Sequence, residues 1–171
     1  MVLASPPCNC FSVASIGKYW TGGKHAYIPK NDKAKQAIDL LKYTLKLIET
    51  LRPVYWVVEN PVGMMRTLPF MQPYPHRVIT QCQYGERSLK PTDLWGHFPP
   101  GFSARRCRNG DKCHDPAPRG SHEAGTQSIK SPELRAKIPY KLGLEFCLAC
   151  EGLEFQVSPH QLLVASTRVE C

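Results

Sequence analysis

Two reactive side chains stand directly behind short apolar runs in this 171-residue sequence, Cys8 in Pro6-Pro7-Cys8 and Glu59 in Glu59-Asn60-Pro61. A thiolate is a strong carbon nucleophile, and a carboxylic acid beside it can protonate or hydrogen-bond the ring under attack. The pairing suits conjugate addition to a pyrimidine. Taken singly neither residue is diagnostic, because a free cysteine is most often a small buried side chain and a lone glutamate serves equally well in a cap or an ion pair. Their joint placement carries the reading. A second group, Cys107-x5-Cys113-His114 with His122 eight residues on, offers the thiolates and imidazoles that zinc prefers. Its spacing matches no standard knuckle and adjacent Cys and His ligands are strained, so the sequence favours a basic loop without metal. Cys147-x2-Cys150 falls in a helical pattern, where packing is the expected role.

The surrounding elements must bring Cys8 and Glu59 together. Val2-Leu3-Ala4 reads as a strand that Ser5-Pro6-Pro7 ends, since proline lacks an amide donor. Cys8 to Asn31 is a long loop. Ala34, Ala37, Ile38, Leu41, Leu45 and Ile48 then recur at steps of three and four, the mark of an amphipathic helix, with Asn31 or Asp32 at its start and Pro53 at its end. Val54 to Val58 is a continuous β-branched and aromatic run, as in a strand buried on both faces. Strand, helix, strand implies a right-handed parallel crossover, and active sites of such sheets form at the C-terminal ends of the strands. One short helix is expected within Val62 to Phe70, further strands at Arg77 to Cys82 and Thr92 to Trp95, a loop over Pro99 to Ser131, and a helix from Ser131-Pro132 that Pro139 kinks or splits. The fold class is α/β with a parallel-type sheet.

Composition narrows the partners. No apolar run exceeds five residues, as in Val54 to Val58, against the ~20 of a membrane-spanning helix, so no transmembrane segment is expected. The opening residues lack a basic leader with an apolar core, which favours a reducing cytosol and free thiols. Net charge is +8, and nine Lys and Arg against four Asp and Glu fall between Pro99 and Lys141. Such an excess suits a polyanionic partner, because contacts to phosphates release counterions.

Ser5-Pro6-Pro7-Cys8 with Phe11-Ser12, then Glu59-Asn60-Pro61, then Gln83-Tyr84-Gly85 followed by Arg87 and Lys90, resembles the catalytic half of the DNA cytosine-5 methyltransferase family, and above all its compact bacteriophage-type members. The resemblance implies that Cys8 attacks carbon 6 of a flipped-out cytosine, making carbon 5 nucleophilic towards the methyl group of S-adenosyl-L-methionine, while Glu59 contacts nitrogen 3. It makes Arg87 the arginine that orients the base, although the family's usual Gln-x-Arg-x-Arg is not reproduced. Residues 135–144 resemble the closing cofactor-side motif.

On this resemblance residues 1–150 form the catalytic half, with a basic Cys- and His-containing loop at 99–131, and 151–171 form a tail without a structural signal. The sheet would be a partial Rossmann-like methyltransferase sheet lacking the N-terminal cofactor-binding strands, which a separate chain could supply. Ser5, Pro6 and Pro7 would border the cofactor. Lys90, Arg105, Arg106, Arg108, Lys112 and Arg119 would face double-stranded DNA, in the cytoplasm of a bacterial or phage-infected cell. Two other readings compete. One is a catalytically silent DNA-binding remnant or subunit. The other is an exocyclic-amine methyltransferase, whose Ser-Pro-Pro signature Ser5-Pro6-Pro7 fits; that chemistry needs an aromatic ring at the fourth position to stack the base, where Cys8 stands.

Overall fold

A computed structural model of the chain describes residues 1–23, 27–118, 121 and 123–153. In chain order its elements are β1 (Val2–Ala4), α1 (Ile16–Tyr19), the two-residue strands β2 (Trp20–Thr21) and β3 (Ile28–Pro29), α2 (Asp32–Leu51), β4 (Trp56–Pro61), β5 (His76–Thr80), β6 (Pro91–His97), α3 (Pro132–Ala136) and α4 (Tyr140–Cys150). No helix among the described residues is long and apolar enough to cross a membrane.

Helix α2 begins and ends as its sequence dictates. The Asn31 side chain accepts the amide of Ala34, Asp32 sits in the positively polarised first turn, and Arg52 in left-handed geometry (φ 47°) closes the last turn ahead of Pro53. Ala34, Leu41 and Ile48, seven residues apart, are buried against the sheet.

The main sheet has the order β1-β4-β6-β5. β1 and β4 pair in parallel across the α2 crossover, with Leu3 beside Val57 and Ala4 beside Val58. β6 runs antiparallel to both β4 and β5, so the sheet is mixed and the purely parallel expectation is corrected. The cause is the Gln81–Lys90 connection, which holds a single tight turn and no crossover helix, and a short link can only reverse the chain.

Other boundaries also move. β4 starts at Trp56 because Val54 is left exposed at the turn, and it runs on through Pro61 because β6 pairs with it as far as Pro61 opposite Thr92. Glu59 therefore lies within the strand. The segment after β4 forms two 3-10 turns, Met64–Thr67 and Pro69–Met71, because Pro69 interrupts any single helix. β5 is shorter than expected, with Gln81 and Cys82 already in the following turn. Ser131 caps α3 at the amide of Leu134, and Pro139 separates α3 from α4, leaving Leu134 exposed and Leu142 and Phe146 buried.

Two cores result, one on each face of the sheet. Val58 and Trp95 meet Leu41, Ile48 and Met65 on the α2 side. Val57, Leu94 and Ile79 meet Phe102, Leu142 and Phe146 on the α4 side.

The chain just after Cys8 is tied to the chain just after β4. Met64 donates its amide to the Phe11 carbonyl at 2.7 Å, and Ser12 bridges Gly63. A Cβ on Gly63 would lie 2.1 Å from that same carbonyl oxygen. Gly63→Ala is expected to force two backbones apart and to destabilise the chain by about 1–3 kcal/mol, the range for overpacked sites; urea unfolding of the variant measures it, and an unchanged midpoint would contradict the close approach.

Candidate active site

Continuing the β1–β4 register two residues past Leu3 and Val57 brings Ser5 beside Glu59. The Ser5 hydroxyl donates to Glu59 Oε2 at 2.5 Å. On the other face of the strand, Asn60 Nδ2 donates to the Pro6 carbonyl at 2.9 Å, which pins the Pro-Pro bend to β4. The bend delivers Cys8 into a tight turn whose carbonyl accepts the amides of both Phe11 and Ser12 at 2.9 Å. Cys8 is half-buried and Glu59 is buried.

Burial shifts both groups in the same direction. Burial raises the Cys8 thiol above its usual range and the Glu59 charge adds to the effect, while Lys90 and Arg135 oppose it. Burial likewise raises the Glu59 carboxyl, against the Ser5 hydrogen bond and the charge of Lys90. A carboxyl so placed keeps its proton to higher pH than a surface glutamate and can act as a neutral donor.

A raised carboxyl binds its proton more tightly folded than unfolded, so its contribution to stability is full below the ordinary carboxylate range and is lost as pH rises through the folded value. Glu59→Gln keeps an acceptor for Ser5 and removes that loss. The variant is expected to be more stable than the native chain at pH 7 and above, with the gap closing as pH falls below about 4; thermal melting across pH checks this, and a gap that widens in acid would contradict it.

Lys90 is brought to this site rather than to a DNA-facing surface, which corrects the sequence expectation. It is buried, held at φ 28°, and its Nζ donates to the Arg135 carbonyl at 2.6 Å at the end of α3. Bulky residues rarely take that backbone conformation, and such strain concentrates at functional sites. Arg87 is not brought there: it is exposed and paired with Asp115 at 3.0 Å. Arg135 lies close enough to act on the charge of Cys8, a role the sequence did not reveal because α3 reaches the site only through Lys90.

Arg105 is also corrected. Its guanidinium pairs with the buried Glu145 and lies 4.4 Å from the centre of the Tyr84 ring, so it locks the loop to α4 rather than facing solvent. Arg106, Arg108 and Lys112 are exposed. Arg119 and His122 lie outside the described residues, as does the tail beyond residue 153. Cys107, Cys113 and His114 do converge, and they are joined by Cys82, which no local spacing could have shown. Cys147 is exposed, so the packing role expected for it is not found; Cys150 is half-buried, with its thiol 3.4 Å from Met1 Sδ.

In the segment expected to border the cofactor, the Ser5 hydroxyl is engaged by Glu59, the Pro6 carbonyl accepts from Asn60, and Pro7 is exposed.

The site combines a thiol just past β1 and a buried carboxyl within the adjacent parallel strand β4 of an α/β chain. The chain is similar to a probable DNA (cytosine-5)-methyltransferase of Frog virus 3 (isolate Goorha), with 31% identity over 115 residues, 66% of this chain and 52% of that protein. No family model matches the chain, and no solved structure matches it. The chain is thus a methyltransferase relative by descent. It belongs to the DNA (cytosine-5)-methyltransferase family and spans about half the length of the curated relative it matches.

Proposed function

We propose that this chain supplies the base-reacting half of a DNA cytosine-5 methyltransferase, with Cys8 as nucleophile and Glu59 as its acid. The observation that carries the reading is the hydrogen bond from Ser5, three residues before Cys8, to the buried Glu59 carboxyl across the β1–β4 pair, which supports one site for thiol and acid; burial raises both groups. The Cys8 thiolate adds to carbon 6 of a cytosine turned out of the duplex, forming a C–S bond. Glu59 places its proton on nitrogen 3, so the electron pair released from the 5,6 double bond does not build up charge on the ring. Carbon 5 becomes enamine-like and nucleophilic. When carbon 5 has gained an electrophile and given up its hydrogen as a proton, the double bond reforms, Cys8 leaves as thiolate, and nitrogen 3 returns its proton to Glu59.

Lys90 and Arg135 supply positive charge beside Cys8, which favours the thiolate that burial otherwise disfavours. Arg106, Arg108 and Lys112 are placed to meet phosphates, which orient a duplex without reading its sequence. The methyl donor of the family is S-adenosylmethionine, and Ser5, Pro6 and Pro7, next to the proposed nucleophile, would border it.

A duplex carrying pyrimidin-2-one in place of one cytosine tests the proposal, because that ring lacks the amino group and accepts thiols at carbon 6 more readily. A heavier band that survives denaturant is expected. Salt-dependent binding with no such band would overturn the catalytic reading in favour of a DNA-binding role alone.

A further inference from the structure

At the far end of β5 from residue His76, four soft donor groups converge: the thiols of Cys82, Cys107 and Cys113 and the imidazole of His114, all with ligand atoms within 4.8 Å of one another. Cys82 stands in the turn that follows β5. The other three come from the basic segment some twenty-five residues later. That segment is brought in by the Thr80 amide, which donates to the Arg105 carbonyl at 3.1 Å, and by the Cys107 amide, which donates to Thr80 Oγ1 at 2.9 Å.

We propose that Cys82, Cys107, Cys113 and His114 bind one zinc ion, through three thiolates and His114 Nδ1, and that the ion staples the basic segment to the end of the sheet. Three of the distances match those of a four-coordinate site. Tetrahedral zinc, with Zn–S of about 2.3 Å and Zn–N of about 2.0–2.1 Å, sets its sulfurs about 3.8 Å apart and each sulfur about 3.5–3.6 Å from the nitrogen. Cys113 Sγ lies 3.7 Å from Cys82 Sγ and 3.5 Å from His114 Nδ1, and Cys107 Sγ lies 3.7 Å from that nitrogen. Cys82 and Cys107 are closer, at 3.0 Å, far beyond the ~2.05 Å of a disulfide, and part slightly to admit the ion.

The next layer outward fits the same occupant. Thr80 Oγ1 donates to Cys107 Sγ at 3.4 Å and Gln83 Nε2 to Cys113 Sγ at 3.3 Å, hydrogen bonds that orient and stabilise thiolates. His114 is buried and presents Nδ1 to the sulfurs, so Nδ1 is the nitrogen available for a metal; its buried Nε2 meets no hydrogen-bond partner among the described residues.

Three thiolates around a divalent ion leave one negative charge, and Arg106, Arg108 and Lys112, each adjacent to a ligand residue, offset it. Mixed sulfur and nitrogen donors select zinc over oxygen-seeking calcium or magnesium, and four protein ligands leave no open position, which makes the site structural.

The full chain, purified under reducing conditions, is expected to carry close to one zinc per molecule by elemental mass spectrometry. Cobalt(II) exchanged into it should show the intense visible bands of tetrahedral geometry and a thiolate charge-transfer band, the latter falling by about a third in Cys113→Ser, which loses one of three sulfurs. Cys147→Ser should leave both unchanged. Amide hydrogen exchange over residues 105–115 should slow with zinc and recover with a chelator. Zinc no higher than in a Cys82→Ser, Cys107→Ser double variant, a cobalt spectrum of octahedral type, or a Cys82–Cys107 disulfide in the reduced preparation would overturn the site; exchange indifferent to zinc would overturn the staple.

Discussion

Cys8→Ser is expected to lower the rate of adduct formation with a pyrimidin-2-one duplex by roughly 10⁴-fold or more, the scale on which loss of an attacking nucleophile acts. The hydroxyl that replaces the thiol is a far weaker nucleophile at neutral pH. Burial favours the protonated form of Glu59, which suits it to give a proton to the ring rather than to take one from a serine hydroxyl. DNA affinity should be nearly unchanged, since Arg106, Arg108 and Lys112 are untouched. Stopped-flow or gel quantification of the adduct beside a binding titration separates the two effects. A serine variant that forms adduct at the native rate would remove Cys8 from the chemistry.

Asp93→Ala is expected to have the largest effect on stability, a loss of about 3 kcal/mol. Asp93 is wholly buried in β6, opposite Asn60 of β4. Its carboxylate accepts Arg66 Nε at 2.7 Å and Arg66 Nη2 at 2.5 Å, and meets His76 Nε2 at 3.0 Å. Removing one member of such a pair leaves the other charge without its counterion, at a cost of about 3–5 kcal/mol when both are buried. Arg66 and His76 keep 40% and 33% of their side-chain surface, so water relieves part of that cost and the lower end applies. The consequence reaches the active site, because the strand pair that Asp93 anchors is the one from which Asn60 holds the Pro6 carbonyl. Chemical denaturation of the variant measures the loss, and a change below about 1 kcal/mol would show that the ion pair is dispensable.

The parts of this structure legible in the sequence are those governed by local pattern. The apolar stripe of α2, its Asn31 cap and the proline-ended β1 all arise from neighbours a few residues apart, and together they imply that Cys8 and Glu59 open at adjacent strands. What was not legible depends on long-range closure. The direction of β6 follows from a turn at residues 81–84 that carries no crossover helix, and its pairing extends β4 past Glu59. Lys90 turns inward at an unusual backbone angle to bond the Arg135 carbonyl, and Pro139 separates the short helix that carries Arg135 from α4. Cys82 gives no signal beside Cys107 and Cys113, since twenty-five residues and an entire strand separate them until β5 and the basic segment are laid side by side. Arg105, by contrast, looks like its basic neighbours in sequence and differs from them only because Glu145 of α4 lies beneath it.

The central claim, that Cys8 adds to carbon 6 with Glu59 as its acid, is tested most directly on unmodified cytosine in heavy water. Addition makes carbon 5 basic, so it takes up a solvent deuteron and releases its own hydrogen before the thiol departs. Mass spectrometry of nucleosides digested from the duplex should find deuterium at cytosine carbon 5 with the native chain, much less with Glu59→Gln and none with Cys8→Ser. No deuterium above the level of protein-free DNA, or the same amount with Cys8→Ser, would contradict the account.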